Sequence, residues 1–160
     1  MRVSDIMSRQ VATALPGPTV AAAVEALWHR DCGALPVVDP TGKLVGIVTD
    51  RDMCIALGTR RRLASELTVG EVMSRSVRTC RASESVPSAL ATMRTAKVRR
   101  LPVVDVSGKV EGMLSLVDCI RCTSPSDGGE LSIEEADVLG TLKSVCEQRL
   151  PLASPAIARR

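Results

Sequence analysis

Two stretches of this 160-residue chain bring a hydroxyl and a carboxylate to the same spacing. Gly46-Ile47-Val48-Thr49-Asp50-Arg51-Asp52 and Gly112-Met113-Leu114-Ser115-Leu116-Val117-Asp118 share the pattern Gly-x-x-[Ser/Thr]-x-x-Asp. Each follows an apolar run and opens onto a helical pattern, so both groups stand at a strand-to-helix junction. A helix start offers free N–H groups and the positive end of the helix dipole, which suits an anion such as phosphate. The carboxylate could accept both hydroxyls of a ribose, while Thr49, Arg51 and the amides hold phosphate. The same spacing is also a capping box, in which the two side chains only satisfy orphan amides; on the pattern alone that is the stronger reading. Arg51 shifts the balance, because a cation in the first helical turn is unfavourable unless an anion lies nearby. In the second stretch Leu116 and Val117 replace Asp50 and Arg51. The hydroxyl and carboxylate remain there, but the charge-assisted phosphate contact is lost. The two junctions are expected to be unequal.

Other reactive groups carry less. Cys119-Ile120-Arg121-Cys122 is a CxxC, but zinc needs about four ligands, and His29 is the one histidine in the chain. On a helix after Asp118 the two thiols are expected to behave as small hydrophobes. His29 falls at a helix end, where the dipole favours it. Asp50 and Asp52 have no accompanying nucleophile or base, so no enzyme and no metal site is expected. The methionines fall at core positions.

The elements that place these groups occur twice. Leu35-Pro36-Val37-Val38-Asp39 returns 66 residues later as Leu101-Pro102-Val103-Val104-Asp105. The same ungapped shift carries Met7-Ser8-Arg9 onto Met73-Ser74-Arg75, Gly42-Lys43 onto Gly108-Lys109, Gly46 onto Gly112 and Asp52 onto Asp118. Two copies imply paired sub-domains rather than a solenoid. Val11–Leu15 and Val77–Cys80 are expected as short strands. Thr19 and Ser85 are expected as N-caps of helices whose apolar faces carry Val20, Val24, Leu27 and Trp28, and Val86, Leu90 and Met93. Strands at Ala34–Val38 and Leu101–Val104 then turn back into strands at Leu44–Val48 and Val110–Leu114. Short helices follow, near Arg51–Leu57 and Val117–Cys122.

Each unit is thus β-α-β-β-α, an α/β chain of the α+β kind, with the units packed about a pseudo-twofold axis. The boundaries expected are 1–60 and 67–124, with a linker at 61–66. Residues 125–160 hold a second linker, a helix at about 132–148 and a tail. Ser132 with Glu135 is expected to cap that helix, and Ile133, Ala136, Leu139, Leu142 and Val145 to form its apolar stripe.

Composition narrows the classes of function. Apolar residues make up 45%, charged residues 24%, and the net charge is +3. With no Phe, no Tyr and one Trp, stacking platforms for single-stranded nucleic acid are lacking. Arg60-Arg61-Arg62 reads as a solvated linker, so no nucleic-acid partner is expected. No apolar run nears the roughly 18 residues of a membrane span, and no leader peptide is recognised. The expectation is no membrane association, a cytoplasmic protein, and six reduced cysteines.

The Met-Ser near the start of each copy, the Leu-Pro-Val-Val-Asp strand, the Gly-Lys turn and the Gly-x-x-[Ser/Thr]-x-x-Asp junction together resemble the cystathionine-β-synthase (CBS) domain. Their tandem arrangement over Val3 to about Thr123 is similar to a CBS pair, or Bateman module; the C-terminal helix lies outside the likeness. The resemblance implies a regulatory, non-enzymatic module with no obligatory cofactor. It implies an adenosine effector (AMP, ADP, ATP or S-adenosylmethionine) in clefts between the copies. It also implies a homodimer and a downstream protein that reads the bound state. By the same resemblance Asp52 and Asp118 hold ribose hydroxyls, and Thr49 and Ser115 contact phosphate or ribose. Adenine lies near Val11–Thr13 and Gly33-Ala34, or near Val77–Thr79 and Arg99-Arg100. Arg99 and Arg100 stand where the first copy has two small residues, and either narrow the adenine pocket or reach a phosphate. The alternatives are an interaction module with vestigial clefts and a working C-terminal helix, or a thiol switch at Cys119 and Cys122.

Overall fold

The computed structural model describes residues 1–123 and 133–147. Its elements run α1 (Val3–Ile6), α2 (Val20–His29), β1 (Ala34–Val38), β2 (Leu44–Thr49), α3 (Asp50–Arg60), α4 (Val69–Val72), α5 (Val86–Ala96), β3 (Arg100–Val104), β4 (Val110–Ser115), α6 (Leu116–Arg121) and α7 (Glu135–Cys146). Thr19 and Ser85 cap α2 and α5 as expected, accepting from the amides of Ala22 and Ser88. β1 pairs antiparallel with β2, and β3 with β4, in matching registers that set Ala34 opposite Thr49 and Arg100 opposite Ser115. Those registers place each junction hydroxyl beside the first residue of the neighbouring strand.

The hairpin turns are twins. Asp39 Oδ1 accepts from the Thr41 amide, the Thr41 hydroxyl and the Lys43 amide at 2.8, 2.7 and 3.0 Å. Asp105 does the same with Ser107 and Lys109 at 2.8, 2.7 and 2.9 Å. Gly42 and Gly108 close these turns at φ +86° and +84°, a region that glycine enters without steric cost. Lys43 bridges to Lys109, its own counterpart under the 66-residue shift. The pseudo-twofold axis therefore passes between them.

Val11–Leu15 and Val77–Cys80 are not strands, contrary to the sequence expectation. Each contributes a single parallel bridge, Ala14 to Val37 and Cys80 to Val103. The Ala14 amide donates to Pro36 and the Val38 amide to Ala14, both at 2.9 Å. The next rungs would need N–H groups on Pro36 and Pro16, which proline lacks. Pro102 stops the second copy in the same way on one side, while Ala82 stands there in place of Pro16.

The two cores do not follow the two repeats. The core built on α5, β3, β4 and α6 includes Val3 and Met7, while the core built on α2, β1, β2 and α3 includes Leu67, Val69 and Met73. Each repeat thus lends its leading turn to the other. Backbone bonds secure the exchange: Val3 N to Glu84 O at 2.9 Å matches Val69 N to Pro18 O at 2.9 Å. Ser8 bridges to Met113, and Ser74 to Ile47.

The copies differ where α7 packs. It lies on α5 and α6 of the second copy, with Ile133 and Val138 joining that core. Its buried face runs through Val138, Thr141, Leu142 and Val145; Ala136 and Leu139 of the expected stripe point outward. Residues three apart drift by 60° per step on a 100° helix, so the five cannot share one face. The helix begins after Glu134, which caps it without a side-chain bond; the Ser132 of the expected cap lies outside the described residues.

On α2, Val24 and Trp28 of the expected apolar face are exposed, Trp28 by 82%. The buried face is Val20, Ala23 and Leu27. In the second copy the counterpart of Val24, Leu90, is buried, and the counterpart of Trp28, Arg94, bonds to Asp137 O and Thr141 Oγ1 of α7. No such helix covers the first copy among the described residues.

Candidate functional site

Both junctions fold as capping boxes. The Thr49 amide and hydroxyl donate to Asp52 Oδ2 at 3.0 and 2.7 Å, and the Asp52 amide donates back to Thr49 Oγ1 at 3.2 Å. Ser115 and Asp118 repeat this at 2.8, 2.6 and 3.2 Å. Capping and ligand contact are compatible, because the box engages one carboxylate oxygen and leaves the other open. The hydroxyl proton of Thr49 is committed to Asp52, so this side chain holds the carboxylate in place. α3 runs on for 11 residues, against 6 in α6, giving the first junction the longer aligned dipole.

The exchange of leading turns sets what each junction faces. Thr49, Asp50, Arg51 and Asp52 line a cleft of about 970 Å³ together with Ser74, Ser76, Val77 and Arg78 of the second repeat. Gly33, Ala34, Lys97, Arg99 and Arg100 close the same cleft, and Val145 and Glu147 bring the end of α7 to it. Ser115 and Asp118 line a smaller cleft of about 390 Å³ with Val11, Ala12, Ala34 and Arg100. Each carboxylate therefore faces the leading segment of the other copy. Among the residues expected near adenine, Val77, Gly33, Ala34, Arg99 and Arg100 meet the first junction and Val11 meets the second. Thr13 and Thr79 line neither cleft. Ala34 and Arg100, counterparts under the repeat, reach both.

Gly33 fits this arrangement closely. A Cβ there would stand 3.2 Å from Asp50 Oδ2 and 3.6 Å from Arg100 Nη2. The first copy stays small at the point where the second copy's guanidinium crosses the axis. Lys97, Ser74 and Ser76 were not expected in the site, and Arg78 only as a member of the segment near adenine. Their signal was available: Arg78 and Lys97 oppose Ala12 and Asp31 in the repeat.

The other groups do not converge. Cys119 is buried, and burial pushes its thiol up to about 12, reinforced by the Asp118 charge. Among the described residues no cluster of His, Cys, Asp and Glu could hold a metal ion, and no helix is long and apolar enough to cross a membrane.

Known proteins share the sequence and the arrangement. The CBS domain model matches residues 3–59 and again 69–124. The CBS domain-containing protein YhcV of Bacillus subtilis is 35% identical over 116 residues, covering 72% of this chain and 81% of that protein. Inosine-5'-monophosphate dehydrogenase of Mycobacterium tuberculosis is 34% identical over 123 residues, but the chain spans only 22% of that enzyme's length. Among solved structures, the CBS domain pair of protein MJ0100 in complex with 5'-methylthioadenosine and S-adenosyl-L-methionine aligns with a TM-score of 0.69 at 32% identity, covering 76% of this chain and 94% of that one. CBSX2 in complex with AMP aligns with a TM-score of 0.66 at 32% identity, covering 75% and 93%. With two matched repeats, a pseudo-twofold axis between their hairpin turns and a junction carboxylate in each cleft, this chain belongs to the CBS-domain family as a tandem pair.

Proposed function

We propose that this CBS pair is a regulatory, non-enzymatic module that binds an adenosine-containing nucleotide in the larger cleft and passes its presence to a partner protein. The observation that carries the reading is Asp52: Thr49 fixes its carboxylate, one oxygen stays open, and it faces Val77 and the arginines across the cleft. Asp52 accepts the ribose hydroxyls, Val77 and Ala34 flank the base, and Arg51 with the α3 amides meets phosphate. Asp118 and Ser115 offer the smaller cleft a weaker version of the same contacts. The complexes of MJ0100 and CBSX2 with adenosine compounds support the ligand class.

Occupancy ties α3 of the first copy to the leading segment and strand start of the second, which couples ligand to inter-copy packing. The partner reads that packing in the cytoplasm. A second copy of the chain covers the uncovered face of α2 and α3, where Val24, Trp28 and Ile55 are exposed. A thermal-shift screen with AMP, ADP, ATP and S-adenosylmethionine tests the reading. A ligand at 100 times its Kd adds about 2.7 kcal/mol, so at least one should raise Tm by several degrees. A flat response to all four would leave the clefts without an adenosine ligand.

A further inference from the structure

Resting on the nucleotide reading above, we infer that the larger cleft is built for a chain of two or more phosphates, so that its ligand is a nucleoside di- or triphosphate. Five cations line it: Arg51, Arg78, Lys97, Arg99 and Arg100. Lys97 pairs with Glu147 at 3.0 Å. The other ion pairs among the described residues are Arg62–Glu71 and Arg94–Asp137, so four guanidiniums face this cleft without a carboxylate partner. Two carboxylates line the same cleft without pairing to these guanidiniums: Asp50 Oδ1 accepts from the Arg51 amide at 2.7 Å, and Asp52 Oδ2 serves the capping box while its other oxygen stays open to the ribose.

The repeat supplies an internal control. Under the 66-residue shift Arg51, Arg78, Lys97, Arg99 and Arg100 correspond to Val117, Ala12, Asp31, Gly33 and Ala34. Every one of the five cations is neutral or acidic in the counterpart position. The scaffold does not need them: four of the five line the larger cleft alone, while Arg100 also reaches the smaller one, where Arg30 is the other cation. A solvated charged face gives no reason for that one-sidedness.

Charge then sets the ligand. Lys97 and Glu147 offset each other and Asp52 faces the ribose, so on the phosphate side four guanidiniums stand against the one carboxylate of Asp50. That excess is more than the charge of about −1.5 to −2 on a monophosphate at neutral pH, and each further phosphate engages more. A sulfonium ligand would add a cation to a cationic cleft. The volume of about 970 Å³ leaves room for the longer chain, whereas the smaller cleft has about 390 Å³. Glu147 places its own carboxylate on Lys97 at the cleft margin, where a terminal phosphate competes with it.

Calorimetric titration of the full chain with AMP, ADP and ATP at one ionic strength tests this. ATP should bind at least about tenfold more tightly than AMP, the effect of one further charge-assisted hydrogen bond. Arg78→Ala/Arg99→Gly installs residues that the fold already carries at the counterpart positions, and should bring ATP down to the level of AMP. Arg81→Ala/Arg121→Ala removes the same net charge elsewhere and should keep the preference. Glu147→Gln should tighten ATP more than AMP. Equal affinities for AMP and ATP in the wild type, or a preference that survives Arg78→Ala/Arg99→Gly, would overturn the inference. Inorganic tripolyphosphate separates the two claims. If it binds and adenosine adds nothing to its affinity, the charge inference stands and the nucleotide reading falls; if AMP binds and tripolyphosphate does not, the reverse holds.

Discussion

Adding one methyl group should lower stability at Gly46 and Gly112 and raise it at Gly58. A Cβ on Gly46 would stand 2.6 Å from Met73 Sδ and 3.0 Å from the Ser74 carbonyl oxygen. The methionine tip can give way, but Ser74 cannot retreat freely, because its carbonyl accepts from the Ile47 amide at 2.9 Å and its amide donates back at 2.9 Å. Relief therefore breaks the bridge that holds the second repeat's leading segment on the first repeat. Overpacking of this kind costs about 1–3 kcal/mol, and the fixed carbonyl puts Gly46→Ala near the upper end. Gly112→Ala should behave alike, its Cβ lying 2.8 Å from Ser8 O and 3.0 Å from Met7 Sδ. Gly58, inside α3 with nothing within 4 Å of an added Cβ, is the control. Alanine there should stabilise by about 0.5–1 kcal/mol through helix propensity. Urea unfolding followed by far-UV circular dichroism measures all three against wild type. If Gly46→Ala and Gly112→Ala unfold at the wild-type midpoint or above it, the close exchange of leading segments is wrong.

Thiol labelling at pH 8 should reach the exposed Cys54 and Cys146 first and Cys80 and Cys119 only on unfolding, since burial pushes the last two up to about 12; rapid labelling of Cys119 in the folded protein would revive the thiol-switch alternative. Glu71 accepts from the Thr68 amide and hydroxyl and from Arg62, which hold its carboxyl at about 2 against an ordinary 4.5. A lowered carboxyl stabilises the fold above its unfolded value, and that contribution disappears as pH falls from about 4.5 through about 2. Glu71→Gln should therefore unfold with a flatter acid limb in urea titrations at pH 7, 4 and 3; an unchanged limb would put the contribution elsewhere. Trp28→Glu should shift the mass measured by light scattering from dimer to monomer while the far-UV circular dichroism stays that of the folded chain, because Trp28 lies outside the core. A wild-type monomer would remove the proposed pairing through α2 and α3.

Much of the fold was legible because duplication doubles each signal. The hairpin strands, the Thr19 and Ser85 caps and the Asp-x-x-Gly turns are local devices, and each recurs 66 residues on. The failures were non-local. Proline at positions 16, 36 and 102 limits the leading segments to single rungs, which appears only when the partner strand is known. Trp28 reads as core by periodicity, yet burial of that face depends on α7, which covers only the second copy. At the candidate site the hydroxyl–carboxylate pairs were legible and their assignment to clefts was not. The exchange of α1 and α4 carries Val77 and Arg78 to Thr49, and no spacing within one repeat encodes that. Lys97 was readable only as a difference between the copies.

The role of Asp52 in binding, as distinct from capping, is the central claim. Asp52→Asn keeps an oxygen that can accept from the Thr49 amide and hydroxyl while removing the charge, so the variant should melt close to wild type. Loss of a charged acceptor for ribose hydroxyls is worth about 1.5–3 kcal/mol, or about a tenfold or greater weakening of nucleotide affinity. Titration calorimetry of wild type, Asp52→Asn and Asp118→Asn with the ligand found in the thermal screen measures it directly. The structure predicts a large loss at Asp52 and a smaller one at Asp118. Wild-type affinity in Asp52→Asn would show that the carboxylate only caps α3, and that the larger cleft is not the nucleotide site.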